Sequence, residues 1–295
     1  MSREPRDFVM TPVLRDLLRK EPSGHKYTHG HAVVLSGGAG RTGAARLAAR
    51  AALRAGAGLV TLAVPEEAAV EVACQITAVM MRPVTDAAAL TAMIEDHRLN
   101  AICVGPGLGM ETRESGLVAA VLAGTRATVL DADALSLVGR DERLQAMLHP
   151  ACILTPHDGE FARIFPDLAA QMRGQKTDTA PERFALRVQA ARAAARQAGC
   201  TILLKGPDTI VAEADGRCWV HKPTPDGALA WLATAGTGDV LAGIIAGLLA
   251  RGMKPPLAAN MAICLHGLAA RRFGPGLIAE DLPDLLPGVF ADLGV

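Results

Sequence analysis

The sequence predicts an α/β fold, with a mostly parallel sheet, helices on both faces and an antiparallel edge. Three observations carry this. From residue 31 to residue 133, short runs rich in Val, Ile and Leu alternate with alanine-rich stretches of helical length. Those runs are apolar at nearly every position, as strands covered on both faces must be. Between residues 201 and 222 the rhythm changes to three strands joined by short turns, a meander that can close the edge of a parallel sheet.

The elements follow in order. "HAVVLSG" (31–37) is a strand ending in glycine, and "RTGAARLAARAALRAG" is a helix that stops at Gly56. The strands "GLVTLAVP", "TAVMMRPV", "AICVGPG" and "ATVLDAD" come next, interleaved with the helices "EEAAVEVACQ", "DAAALTAMIEDH" and "ETRESGLVAAVLAG". In "CILTPHDGEFARIF" (152–165) a strand stops at Thr155-Pro156 and restarts as a helix, and "PERFALRVQAARAAARQAG" is a longer helix. The meander is "TILLKG", "TIVAEA" and "CWVHK". Two apolar helices, "GDVLAGIIAGLLARG" and "PPLAANMAICLHGLAARRF", complete the pattern, and Pro283 and Pro287 punctuate the tail. No linker, repeat or low-complexity tract interrupts the chain, so residues 25–295 read as one domain behind a leader, residues 1–24.

Composition narrows the partner. Thirty basic and thirty acidic residues leave no net charge, so no basic field advertises nucleic acid or an anionic membrane. Aromatics are 3%, too few for stacking platforms, which leaves a small molecule as the expected partner. No apolar run is long enough to span a bilayer, and the first residues carry no secretory pattern. The six cysteines (Cys74, Cys103, Cys152, Cys200, Cys218 and Cys264) lie in apolar segments without paired spacing, and read as buried free thiols of a reducing cytoplasm.

The glycine loops carry the chemistry. "GAGRTG" (38–43) matches G-x-G-x-x-G between strand and helix, the context of a dinucleotide-binding turn; as a hydride-transfer site it lacks a well-placed acid, since only Glu66 and Glu67 follow the second strand. Ala44 and Ala45 stand where a P-loop needs Lys and Ser or Thr. "GPGLG" (105–109) ends another strand. In "TAGTGDVLAG" (234–243), Gly236 and Gly238 let backbone N–H groups converge on an anion at a helix N-terminus. Asp239 there either complements the helix dipole or acts as a base beside a phosphate. Lys205 in "KGPDT" is either a solvated charge or a phosphate ligand. His157 and Glu160 sit at a strand-to-helix step. Asp131 and Asp133 are either caps or ligands of Mg²⁺ through water, and His266 reads as a satisfied core histidine.

Taken together and in this order, "HAVVLSGGAGRTGAARLAARAALRAGAGLVTLAVP", "VGPGLG", "VLDADAL", "ILTPHDGEFARIF", "LLKGPDTIVA" and "TAGTGDVLAGIIAGLLARG" resemble the bacterial NAD(P)H-hydrate dehydratase family of the ribokinase-like superfamily. The resemblance runs from about His25 to the C-terminus. It implies a ribokinase-like three-layer α/β/α sandwich that repairs hydrated NADH and NADPH: the C6 hydroxyl of the damaged ring is phosphorylated by ADP, AMP leaves, and elimination of phosphate restores the ring. Asp239 would be the base. Substrate contacts would fall on Ala44, Gly107, His157 and Asp239, and nucleotide contacts on Lys205, Gly206, Pro207, Asp208, Thr209, Gly236 and Gly238. Mg²⁺ is expected with the nucleotide, without a direct protein ligand. The short leader leaves no room for the epimerase domain that precedes many relatives, so pairing with a separate epimerase is expected, as are a cytoplasmic location and a homotetramer. Tyr27, where relatives often carry glycine, bears on the leader's path, and Ala235 is a mild departure. A kinase of the same fold acting on a hydroxymethylpyrimidine or hydroxyethylthiazole is the alternative.

Overall fold

The computed structural model describes residues 4–174, 179–222 and 227–295; the first three residues of the leader lie outside them. The leader contributes β1 (Arg6–Asp7) and α1 (Pro12–Asp16). The alternating region runs β2 (His31–Leu35), α2 (Gly43–Arg54), β3 (Leu59–Val64), α3 (Ala69–Ala73), β4 (Met80–Pro83), α4 (Ala87–Ile94), β5 (Ala101–Val104), α5 (Thr112–Leu122) and β6 (Ala127–Leu130). Next come α6 (Ala132–Val138), α7 (Glu142–Ala146), β7 (Cys152–Leu154), α8 (Asp158–Ile164), α9 (Pro166–Gly174) and α10 (Ala180–Ala198). The meander is β8 (Thr201–Leu204), β9 (Thr209–Ala212) and β10 (Cys218–His221), followed by α11 (Thr237–Ala250), α12 (Pro255–Phe273) and α13 (Asp281–Leu293).

The strands form one sheet in the order β1-β10-β9-β8-β7-β6-β5-β2-β3-β4. Only β9 runs against its neighbours, so the expected antiparallel edge is present, and the leader's β1 extends it by pairing parallel to β10. Side chains alternate between two cores. Val34, Cys103, Val129, Ile153 and Leu203 face α2, α11, α12 and α13, while Val33, Ile102, Leu130, Leu154 and Ile202 face α4, α5, α6, α8 and α10. Both faces are buried, which is why these strands are apolar throughout.

The chain leaves β2 toward β3 on one side, and from β5 onward builds on the other. This reversal opens a crevice at the carboxyl ends of β2 and β5, where open α/β sheets bind ligands. Here the two glycine loops interlock: a Cβ on Gly37 would lie 1.9 Å from the Gly107 carbonyl oxygen, so only glycine fits.

Two expectations need correction. The tail is not merely punctuated by prolines; α13 runs through Pro287. Pro283 falls in the first turn, where its missing N–H is free anyway. Pro287 costs the helix roughly 3 kcal/mol. Leu282, Leu286 and Val289 are buried on one stripe, and at about 1.5–3 kcal/mol each they outweigh that cost. Second, the cysteines are free but not all buried: Cys74 at the end of α3 is exposed and Cys264 is half-buried.

Candidate active site at the strand ends

Each of the central parallel strands delivers a site segment from its carboxyl end: β2 the 36–42 loop, β5 Gly105 to Gly109, β6 Asp131, β7 Thr155 to His157, and β8 Lys205. The order of strands therefore sets the order of groups along the crevice. At its centre a Cβ on Gly107 would stand 3.3 Å from the Ala44 Cβ, so the two positions expected to meet substrate are adjacent. Gly105 packs so tightly on the Asp131 backbone that a Cβ would fall 1.7 Å from its carbonyl oxygen. The next residue, Ala132, takes the left-handed φ of 47°, a strained corner that turns the chain from β6 into α6 at the site.

Asp131 is 2% exposed and its Oδ1 accepts from Lys205 Nζ at 2.8 Å and from Thr155 Oγ1 at 2.8 Å. This removes one alternative for each member of the pair. Asp131 makes no side-chain capping bond to α6, and Lys205 is not a solvated surface charge. Burial alone would push the Lys205 ammonium down, but the carboxylates of Asp131 and Glu160, the latter 3.8 Å away, hold it above its ordinary value. Asp133 is committed elsewhere, its Oδ2 accepting from the Gly109 N–H at 2.8 Å.

The 14-residue α11 begins at the crevice with Gly236 as its N-cap, at a φ of 89° and with no side-chain capping bond. A Cβ on Gly236 would strike Leu47 and Ala279, and one on Gly238 would lie 3.6 Å from Lys205 Nζ and 4.0 Å from Asp131 Oδ2. The free N–H groups of the first turn thus open onto Lys205, as an anion site requires. Asp239 stands in this turn. Its carboxylate accepts no hydrogen bond among the described residues, so capping does not account for it. Burial, reinforced by Asp131, Asp133 and Glu160 and opposed by Lys205, pushes its pKa up to about 6.

His157 closes one end. It caps α8 by accepting from the Gly159 N–H at Nδ1, 2.9 Å, while its backbone N–H donates to Glu160 Oε2 at 2.8 Å. Its side chain remains 55% exposed, facing out from the cap. Beside it, Arg187 of α10 donates to the Lys205 carbonyl at 3.0 Å and pairs with Asp158, and Thr209 Oγ1 donates to the Gly206 carbonyl at 3.0 Å. Residues 205–209 are thereby held as a tight turn. The role of Arg187 escaped the sequence because nothing in a helical surface arginine marks its long-range partners.

The 38–43 loop is engaged from within the protein. Its Gly40 N–H donates to Glu71 Oε2 at 2.7 Å, and Thr42 donates to the other oxygen of the same carboxylate. The Gly40 N–H of the loop is thus taken up by a carboxylate of the protein's own α3. His266 is buried beneath α11, where burial lowers its pKa to about 4 against a hydrogen bond that its ring donates to the Thr237 backbone carbonyl. Its Nε2 has no partner, so the expectation of a satisfied core histidine holds for burial but not for both nitrogens.

A family model for NAD(P)H-hydrate dehydratases matches residues 32–286. The chain is 38% identical to the bifunctional NAD(P)H-hydrate repair enzyme of Moorella thermoacetica over 94% of its own length, and spans about half (52%) of that relative. It is 33% identical to the ADP-dependent (S)-NAD(P)H-hydrate dehydratase of Xanthomonas campestris, covering 95% of both chains. Among solved structures, the ADP/ATP-dependent NAD(P)H-hydrate dehydratase of Bacillus subtilis, co-crystallised with ATP and Mg²⁺, superposes with a TM-score of 0.75 at 28% identity over 98% of both chains. The architecture is the ribokinase-like one anticipated from the sequence. With the family model matching residues 32–286 and a 33% identical relative covered over 95% of both chains, the chain belongs to the NAD(P)H-hydrate dehydratase family.

Proposed function

We propose that the domain of residues 25–295, with the leader added at the sheet edge, restores hydrated NADH and NADPH at the expense of ADP. The observation that carries this is Asp239: a half-buried carboxylate without a partner, in the first turn of an uncapped helix, facing an ammonium. A general base must be free to accept a proton, and a phosphoryl group needs donors that are fixed before it arrives.

The C6 hydroxyl of the substrate lies against Asp239, with the damaged ring between Ala44 and Gly107 and with His157 at its rim. ADP lies along residues 205–209, its terminal phosphate at the N–H groups of Gly236 to Gly238 and at Lys205. The hydroxyl oxygen attacks the β-phosphorus, its proton passes to Asp239, and the bond to the bridging oxygen breaks to release AMP. Phosphate then departs from C6 while the neighbouring ring carbon loses a proton, and the double bond returns. Hydroxide is a poor leaving group and phosphate a good one, so the phosphoryl transfer makes elimination feasible.

Mg²⁺ would accompany the nucleotide without a direct protein ligand, and when bound it would supply charge neutralisation at the phosphates. Asp131 fits this use: Oδ1 is engaged, while Oδ2 accepts no hydrogen bond among the described residues and faces Gly238, where it would hold a water of the hydrated ion. The ADP-dependent activity named for the Xanthomonas relative supports ADP as donor. Action in the cytoplasm, as a homotetramer and alongside a separate epimerase, is the accompanying expectation from the family; no helix among the described residues is long and apolar enough to cross a membrane.

The test adds the purified protein to hydrated NADH with Mg²⁺ and either ADP or ATP. Recovery of the reduced-nicotinamide absorbance with ADP supports both repair and donor; recovery with ATP alone overturns the donor. Recovery with neither overturns repair and favours the vitamin-precursor kinase.

A further inference from the structure

Arg41 lies in the loop between β2 and α2, beside the crevice. Its backbone is fixed, since its N–H donates to the Gly38 carbonyl at 3.0 Å and its carbonyl oxygen packs against Gly37 and Gly107. Its guanidinium nitrogens lie 3.3 Å from where a Cβ on Gly109 would stand, and one lies 3.8 Å from that point on Gly38. The guanidinium therefore hangs over both glycine loops, at the mouth of the crevice opened by the reversal of strand order.

Three of the surrounding acids are engaged by the protein itself, and a fourth, Glu67, reaches the Gly38 rim with its Oε1 3.4 Å from where a Cβ on Gly38 would stand but forms no ion pair with Arg41 among the described residues. Glu71 is held by Gly40 and Thr42, Asp133 by the Gly109 N–H, and Glu114 by Arg113 at 2.8 Å. Arg41 itself has no side-chain hydrogen bond or ion pair among the described residues. A planar guanidinium on a fixed backbone, with no internal partner and beside a ligand crevice, is suited to bind two oxygens of an anion such as a phosphate. The usual alternative at a G-x-G-x-x-G loop, phosphate on the loop's own N–H groups, is obstructed here because Glu71 occupies Gly40.

Resting on the repair reading, we propose that Arg41 binds a phosphate of the hydrated dinucleotide substrate and so takes over the anion recognition that the glycine loop does not provide. The nicotinamide end lies by Ala44 and Gly107, and the rest of the dinucleotide leaves the crevice past Gly109 under this side chain. The phosphate is either the pyrophosphate, common to both substrates, or the 2′-phosphate of the NADPH form.

Calorimetric binding of hydrated NADH and hydrated NADPH, without nucleotide donor, is compared for the wild type, Arg41→Ala and Arg41→Lys. Arg41 is exposed and unpartnered, so the variants fold. Binding weakened about tenfold or more in Arg41→Ala, with partial recovery in Arg41→Lys, is the expected result. Equal loss for both ligands identifies the pyrophosphate, and loss confined to the NADPH form identifies the 2′-phosphate. Affinities within about twofold of wild type for both ligands overturn the proposal. Wild-type binding without any repair would refute the catalytic reading while leaving the Arg41 comparison valid, and absence of wild-type binding overturns both.

Discussion

As the proposed base, Asp239 combines two properties that ordinarily conflict: it would have to be ionised to accept a proton, yet burial and three neighbouring carboxylates resist ionisation. A base with a pKa of about 6 is ionised at neutral pH and still basic enough to take a hydroxyl proton. Turnover should therefore fall as pH drops through about 6, and a pH–rate profile flat from pH 7 down to 5 would contradict that assignment. The same group carries a stability cost. Its folded pKa lies above the unfolded 3.8, so the folded state binds more protons in that window; stability falls as pH rises from about 4 to about 6, and the full cost persists above it. Asp239→Asn should accordingly be more stable than wild type at pH 8, by about 1–2 kcal/mol after allowing for its partial exposure, measured by denaturant unfolding. At this scale the sequence was legible only in part. Asp239 and the glycines announced themselves by local pattern. The Asp131–Lys205 pair did not, because its members are 74 residues apart and are joined only by the neighbouring positions of β6, β7 and β8. Glu71 escaped for the same reason, lying 31 residues from the loop it fills.

Among elements, the pairing of α2 with α11 decides where Asp239 stands. Ala45, Ala48, Ala49 and Ala52 form a small-residue face on α2, and Gly243 and Gly247 on α11 press directly into it. A Cβ on Gly243 would lie 2.1 Å from the Ala48 carbonyl oxygen, and one on Gly247 would lie 2.5 Å from that of Ala52. Neither neighbour can rotate away, because both are backbone. Gly243→Ala should thus cost about 1–3 kcal/mol or more, lower Tm by several degrees and shift the anion site. Gly267→Ala on α12 is the control: its Cβ would meet only Leu229 at 3.4 Å, and removal of a helical glycine should raise stability by about 0.5–1 kcal/mol. Similar Tm changes for the two variants would show that the close α2–α11 contact is not what fixes the helices. The β–α alternation and the meander could be read from periodicity because buried strands and amphipathic helices leave long signals. The pieces α6, α7 and α13 were missed: the first two are 7 and 5 residues long, and the third runs through a proline.

For the whole molecule, the parallel order of strands gathers the site segments at one end of the sheet, and burial of titratable groups sets the pH behaviour. His31, whose Nε2 lies 2.7 Å from Thr61 Oγ1, and His266 are both lowered by burial to about 4. Each binds a proton more readily when unfolded, so the stability they contribute is lost as pH falls from about 6.5 to about 4. Asp239 acts oppositely over much of this range. Acid destabilisation should therefore be steeper in Asp239→Asn than in the wild type, as followed by Tm between pH 6.5 and 4.5; a shallower slope would contradict this balance. The measurement that bears most directly on the central claim is made on that same variant: release of AMP and recovery of reduced nicotinamide from hydrated NADH, ADP and Mg²⁺, alongside ADP affinity. The account predicts turnover at least about 100-fold below wild type with ADP binding retained. Wild-type turnover in Asp239→Asn would remove Asp239 as the base and, with it, the mechanism built on the start of α11.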